Sequence, residues 1–580
     1  MQRDEVLTAR AVEALIANGH IIVIFEDFVL KLDSWLEKHP GGRLAILHMV
    51  GRDATDEIKA SHKEKQWKTM KAFRIGRKIP GIWVQRTPPI RGGIFRKEED
   101  QVSTTPKEKD ALDLLDVPAS PDSYESNSLS DSVSNLSEAS LPTSLSSADS
   151  VVGDALCKTD TGTTSVQDDL DATARSEPHT AKASTGSSSA YTAQAEQDDI
   201  ARDNLAYPSV DPAIQHSIAL KYKALAQRVQ DEGYYTCHYV EYAKEASRYA
   251  LFFGLSMFAL RNEWYMTSAI FLGLFWHQVM FTAHDAGHRA ITGNFAVDSL
   301  IGIFIGDFCC GLSIGWWKRS HNVHHLVTNH PEHDPDIQNV PLFATTPSFF
   351  RGVHSTYYDF SFAWDKAAEI LVPYQKYTYY PIMGVARFNL YMLSWLHVLS
   401  SKSGALVTSS AWWIQPTEIA AMSCYWYIFG YLLVWKTLPT WGVRIAFVLL
   451  SHVITMPLHV QITLSHWGMS TSDLGESESF AQRQLRTTMD VDCPAWLDWI
   501  HGGLQFQAVH HLFPRVPRHN LRRLQTLVKE FCEDTKIPYT LLGFVDGNSH
   551  VLSRLDEVGQ QVKHLVNCQR YMAEHGVRDL

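Results

Sequence analysis

The chain lacks the marks of a secreted, nucleic-acid-binding or thiolate-metal protein. Its eight cysteines form no C-x-x-C pair and no framework of regular spacing, so they read as free thiols facing a reducing compartment. No H-E-x-x-H occurs, which removes the signature of a helix-borne zinc hydrolase. The opening Met1-Gln-Arg-Asp-Glu-Val6 has no apolar core, so no signal peptide is expected and membrane entry rests on internal segments. There is also no basic field. Residues 101–200 hold 18 acidic against five basic residues, which more than accounts for the formal charge of −11. The rest is near neutral, and a nucleic-acid surface is not expected. That same stretch has 20 serines and no tryptophan. Its apolar content is too small to offset the entropy of folding, so a disordered linker over 101–200 is predicted, with Leu112–Val117 as a short helical exception.

Histidine is abundant, with 27 in the chain, and most lone histidines are satisfied core or surface residues. Three clusters stand apart: His284-Asp-Ala-Gly-His288, His321-Asn-Val-His324-His325 and Gln507-Ala-Val-His510-His511. Histidines three or four residues apart share a helix face, so each cluster aims its imidazoles at one point. Seven imidazoles exceed the needs of one ion and suit two. Imidazole accepts iron, copper, zinc or nickel, so ligand type alone leaves the metal open.

Three regions follow from composition. Residues 1–100 read as a compact soluble domain, with His39-Pro-Gly-Gly42 as a tight turn, Asp53 or Thr55 as a helix cap, and His62 downstream. Residues 101–200 are the linker. Residues 201–580 contain the apolar runs Tyr249–Leu260, Trp264–Ala283, Thr417–Trp435 and Trp441–Leu464, read as four transmembrane helices in two hairpins. Phe295–Leu312 is interrupted by Asp298 and Asp307 and reads as buried or interfacial. Two hairpins put all three clusters on one side. The flanking Lys318, Arg319, Arg515, Arg518, Arg522 and Arg523 place that side in the cytosol. The N-terminal domain then shares a compartment with the histidines.

His39-Pro-Gly-Gly42, Gly51-Arg-Asp-Ala-Thr55, His62 and Phe73-Arg-Ile-Gly76 resemble the cytochrome b5 domain. The resemblance implies an α+β fold with His39 and His62 as axial ligands of haem b, suited to electron transfer. The C-terminal region resembles the membrane fatty-acid and sphingolipid desaturases. Gln507 in place of the first histidine of the third box is the mark of the front-end group with a fused cytochrome b5. Gly311-Leu-Ser-Ile-Gly-Trp-Trp317, His333-Asp-Pro-Asp336 and Trp496-Leu-Asp-Trp-Ile-His-Gly-Gly-Leu-Gln-Phe-Gln507 are most similar to fungal Δ8-sphingolipid desaturases. That family implies an all-α, multi-pass membrane domain with a cytosolic histidine-rich cap. Two non-haem iron ions are implied, held by His284, His288, His321, His324, His325, His510 and His511. His466, at the end of the last span, is an eighth ligand by the same resemblance, and Gln507 is a weaker ligand or a donor behind the ligands. His459 is expected behind the ligands and His452 in a structural role. The loop with His330, His333, Asp334 and Asp336 is expected to shape the substrate entrance or orient ligand imidazoles. Asp285 either holds an imidazole or caps a helix.

The implied activity is O2-dependent Δ8 desaturation of a sphingolipid long-chain base, with a ceramide as substrate and a trans product. Electrons would pass from NADH through a separate cytochrome b5 reductase to the haem and then to the irons, in the endoplasmic reticulum membrane. The alternatives are a front-end fatty-acyl desaturase, a di-iron lipid hydroxylase, or, from another class, a membrane-anchored haem electron carrier.

Overall fold

The computed structural model describes residues 4–97, 180–400 and 411–575. The described parts of Met1–Phe95 and Glu177–Val566 pack as one compact unit. The linker expectation over residues 101–179, including Leu112–Val117, lies outside the described residues. Residues 180–200, read as the end of that linker, instead belong to a helix, Thr180–Ala206. Glu196 pairs with Arg351 at 2.9 Å and Asp199 with Arg554 at 2.8 Å, while Thr192 is buried. Composition alone disfavours folding here, and contacts with distant residues override it.

The N-terminal domain is α+β, as expected. Strands β1 (Val6–Leu7), β2 (Ile22–Phe25), β3 (Phe28–Lys31) and β4 (Arg74–Lys78) form one sheet in the order β1-β4-β3-β2. β2 and β3 are an antiparallel hairpin running from Ile22↔Lys31 to Phe25↔Phe28, and β1 lies parallel to β4. Every residue of β2 is buried. Alternation along the strand sends Ile22 and Ile24 into one apolar layer with Val12, Ile16 and Trp83. It sends Val23 and Phe25 into the opposite layer with Leu30, Ile46, Met49 and Ala54. Each such side chain contributes about 1.5–3 kcal/mol by leaving water. Helices α1 (Ala9–Ala17), α2 (Arg43–Leu47), α3 (Thr55–Ser61) and α4 (Glu64–Met70) complete the domain. The N-cap of α3 is Ala54, neither residue expected from sequence. Asp53 accepts from the Thr55 N–H at 3.2 Å and from its hydroxyl at 2.5 Å.

Beyond α5 (Thr180–Ala206) the chain is mostly helical: α6 (Pro212–Asp231), α7 (Tyr239–Arg261), α8 (Tyr265–Gly287), α9 (Phe295–Ile303) and α10 (Ile314–Leu326). Among the described residues three helices are long and apolar enough to cross a membrane: α8, α11 (Lys366–Leu399) and the broken α12 (Trp441–Leu464). A bent pair, Phe295–Cys309 with α10, is a fourth candidate. Four spans were expected; three helices qualify, four only if the bent pair counts as one span, and the members differ. Tyr249–Leu260 is the end of α7, whose start carries Glu241, Lys244, Glu245 and Arg248. Thr417–Trp435 falls in two successive helical stretches, Ile414–Tyr425 and Trp426–Thr437, and neither of these runs qualifies. α11 is absent from the sequence reading because Pro381 and Arg387 interrupt its apolar run. In the fold Arg387 is buried, donating to the Tyr391 hydroxyl at 2.8 Å and the Cys310 carbonyl at 2.9 Å. α8 and α12 approach so closely that a Cβ at Gly273 would lie 2.6 Å from the Ser451 carbonyl oxygen.

Phe295–Leu312 does not cross as a straight helix. The chain turns through 116° between Cys309 and Ile314. Asp298 accepts from the Thr292 and Gly293 N–H groups, and one oxygen of Asp307 from that of Ile314, so each carboxylate holds a turn of the backbone. The C-terminal part adds α13 (Phe480–Thr487), α14 (Gln507–Leu512), α15 (Leu521–Thr535) and α16 (Phe544–His575).

The two halves dock directly. Arg52 pairs with Glu476, Arg483 with Glu57 at 3.3 Å, and Arg515 donates to the Ala60 carbonyl at 2.9 Å. His330 and His333 stack on each other at 4.0 Å, and His333 lies against His48 at 5.2 Å. These two histidines, expected to shape a substrate entrance or orient ligand imidazoles, join the domain interface.

Candidate haem cradle and metal centre

In the N-terminal domain the imidazoles of His39 and His62 face each other with ring centroids 5.9 Å apart. Two imidazoles sharing one metal, each nitrogen about 2 Å away, place their rings about 6 Å apart. His39 donates from Nδ1 to the Gly42 carbonyl at 3.0 Å, and His62 from Nδ1 to the Ile58 carbonyl at 3.0 Å. Those bonds leave both Nε2 atoms facing the gap as acceptors for a metal. Burial lowers both rings below the ordinary histidine range, His62 to about 3, so both are neutral at physiological pH. A Cβ on Gly41 would lie 2.8 Å from the His39 ring, which is why the turn carries glycine there. A cavity of about 400 Å³ opens between the histidines, walled by Leu30, Leu32, Met49, Ile58 and Phe73 among others. A flat apolar macrocycle with bis-imidazole iron fits this cradle.

The same cavity is walled on its other side by His288, Arg289, Lys318 and His325. The haem cradle and the histidine clusters therefore share a wall.

All eight histidines expected as metal ligands converge. Ligand atoms of His284, His288, His321 and His510 lie within 4.8 Å of one another, and so do those of His324, His466 and His511. His325 sits between the groups, its Nε2 3.1 Å from that of His321 and its ring 4.2 Å from His511. The clusters lie at the end of α8, in the last turns of α10 and on α14, but only the first aims at one point: His321 and His324 divide between the two groups, as do His510 and His511. His466 follows α12. Burial lowers His510 and His511 well below the ordinary histidine range, with neighbouring imidazoles adding to it. The buried Nε2 atoms of His288, His510 and His511 have no hydrogen-bond partner. Leaving a buried polar atom unsatisfied costs about 1–3 kcal/mol. Several such atoms converging on two points fit two metal ions.

The residues behind the ligands were only partly legible in the sequence. Asp334 takes the Nδ1–H of His324 at 2.8 Å and is itself held by the Asn329 and Asp336 N–H groups, so the loop orients an imidazole as expected. Although His324, Asp334 and Asp336 lie close together, Asp334 has its oxygens occupied by these donors. His511 Nδ1 donates to Gln484 Oε1 at 2.9 Å, and His466 Nδ1 lies 3.4 Å from the Thr487 carbonyl. Neither Gln484 nor Thr487 carries a sequence signal. Asp285 is 3.6 Å from His284 Nδ1 and also binds Arg518 at 2.7 Å and the Tyr242 hydroxyl at 2.5 Å. Arg518, read as a flanking surface charge, is thus a buried anchor. Gln507 lines a small cavity with His284, Asp285 and His510. His459 stands apart from both groups, with its Nε2 3.4 Å from the Thr455 hydroxyl. His452 bonds the Val448 carbonyl at 2.7 Å and stacks on Phe388, a structural role.

An apolar helical domain that gathers eight imidazoles, joined to a haem cradle, defines a membrane metalloprotein with a built-in electron carrier. Residues 8–79 match the cytochrome b5-like heme/steroid binding domain, and residues 262–543 match the fatty acid desaturase family. The chain belongs to the fatty acid desaturases that carry a fused cytochrome b5 domain. A Delta 8-(E)-sphingolipid desaturase of Emericella nidulans is 47% identical over 575 residues, covering 99% of this chain and 98% of that protein. One from Candida albicans is 42% identical, covering 98% of each chain. A Delta(8)-fatty-acid desaturase of Helianthus annuus is 37% identical across 52% of this chain and 64% of its own length.

Proposed function

We propose that this chain inserts a trans double bond between C8 and C9 of a sphingolipid long-chain base, carried in a ceramide. The observation that carries this reading is the end-to-end identity with proteins named Delta 8-(E)-sphingolipid desaturase. The site chemistry agrees with it. His284, His288, His321 and His510 would hold one iron, and His324, His466 and His511 the other, with His325 available to either. His39 and His62 would hold haem b. When bound, the irons would supply from O2, two electrons and two protons an oxidant strong enough to take two hydrogens from adjacent methylenes, releasing two waters.

The chain's own residues position and exclude. Asp334, Gln484 and the Thr487 carbonyl fix the imidazoles of the second group, and Asp285 with Arg518 anchors the end of α8 beneath the first. The buried surroundings keep bulk water from the reacting carbons. Gln507, beside His284 and His510, would act as a weak ligand or donor. Electrons would arrive one at a time from an NADH-dependent cytochrome b5 reductase, with the haem domain and the histidines on the cytosolic side of the endoplasmic reticulum membrane. The test is lipid mass spectrometry of a host lacking the activity, with and without the gene. A new C8–C9 trans double bond in the long-chain base is expected. Unsaturation confined to fatty-acyl chains, or a hydroxylated base in its place, would overturn the reading.

A further inference from the structure

We propose that Arg289 and Lys318 of the helical domain bind the two propionate carboxylates of the haem, so that the haem site is completed by the desaturase half of the chain. The inference rests on the haem assignment of His39 and His62 and goes beyond it. The cavity is asymmetric: Leu30, Leu32, Met49, Ile58 and Phe73 supply an apolar wall from the N-terminal domain, while the opposite side carries Arg289, Lys318 and Arg515. Glu57 is the lone carboxylate in the lining, and it is occupied by Arg483 at 3.3 Å. Arg515 is also engaged, donating to the Ala60 and Lys59 carbonyls.

Arg289 and Lys318 have no such partners. Among the described residues no carboxylate lies within ion-pair distance of either. The nearby Asp298 spends its oxygens on Thr292 and Gly293. The two basic side chains nevertheless lie against one ring, Arg289 at 4.9 Å and Lys318 at 5.6 Å from the centroid of Phe295. Two basic side chains buried beside each other without an ion-pair partner are stabilised as cations by an anion placed between them. Arg289 also occupies the position just past α8 with φ +57°, where glycine or asparagine is the usual choice. An arginine kept in that conformation points to a use for its side chain. Haem b offers two carboxylates on one edge of an otherwise apolar plate, which matches a largely apolar cavity whose lining includes two basic side chains without a carboxylate partner.

The test uses the full chain in detergent, stripped of haem and reconstituted with haem b or with its dimethyl ester, which lacks the propionate charges. The readout is the rate of haem loss to an apomyoglobin scavenger. In the unsubstituted chain esterification should speed loss roughly 10-fold or more. Arg289→Gln with Lys318→Gln should lose haem b about as fast, and esterification should then add nothing. Arg289→Lys should restore much of the retention. The proposal fails if the double variant retains haem b like the unsubstituted chain, or if esterification accelerates loss equally in both. Absence of a two-histidine haem spectrum in the unsubstituted chain would instead bring down the haem assignment, and this inference with it.

Discussion

The two histidine groups differ in how their imidazoles are held. In the group of His324, His466 and His511, every ring has an outer partner on Nδ1: Asp334 at 2.8 Å, the Thr487 carbonyl at 3.4 Å and Gln484 at 2.9 Å. In the group of His284, His288, His321 and His510, the nearest outer carboxylate is Asp285, 3.6 Å from His284 and committed to Arg518 and Tyr242. That group instead borders the haem cavity through His288. One group is oriented before a metal arrives, whereas the other is set by where three helices end. Outer hydrogen bonds fix tautomer and ring angle and strengthen the ligand, so the His324 group should bind a metal ion more tightly and the His284 group should stand nearer the electron donor.

The sharpest way to break this comparison is to remove a ligand from each group. His284→Ala and His324→Ala are each expected to reduce desaturation to background and lower non-haem iron while the haem spectrum stays intact. Full turnover with full iron in either variant would remove that residue from the metal centre. Next in size, His39→Ala or His62→Ala should abolish the two-histidine haem spectrum and leave both iron sites loaded, which iron analysis and absorption spectra would report together. A normal haem spectrum would end the axial assignment.

A graded effect is expected behind the ligands. Asp334→Asn should weaken iron binding in the His324 group about 10–100-fold, and a chelator titration should then empty that group first, reversing the order expected of the unsubstituted protein. If the order is unchanged, the outer bonds do not set the difference between the groups. The smallest effect belongs to Gln507. Gln507→His should retain more activity than Gln507→Ala, since imidazole can still coordinate, and equal loss in the two variants would show that the position serves packing alone.

Legibility followed the range of the interactions. His284 and His288 are spaced for one helix face and stay in one group, whereas His321 and His324, also spaced for one face, divide between the two. The haem ligands and the apolar alternation of Ile22–Phe25 were equally local. Gln484, Thr487 and Arg518 were missed or misread because their roles exist only across distant segments. The membrane spans were legible only in part: charge disqualified the start of α7, and the tyrosine-rich α11 was hidden by Pro381 and Arg387.

The sequence by itself determined the chemistry available here: a two-histidine haem cradle, three imidazole clusters at the ends of apolar runs, and an acidic stretch between two domains. Periodicity and composition carry that information because helix and strand geometry repeat within a few residues. Only the tertiary structure decided how eight imidazoles divide into two groups with His325 between them. It alone folded residues 180–200 through the pairing of Glu196 with Arg351 and Asp199 with Arg554. It also made His288 and His325 part of the haem cavity wall. These are matters of which surfaces meet, and packing between segments hundreds of residues apart leaves no period in the chain to read.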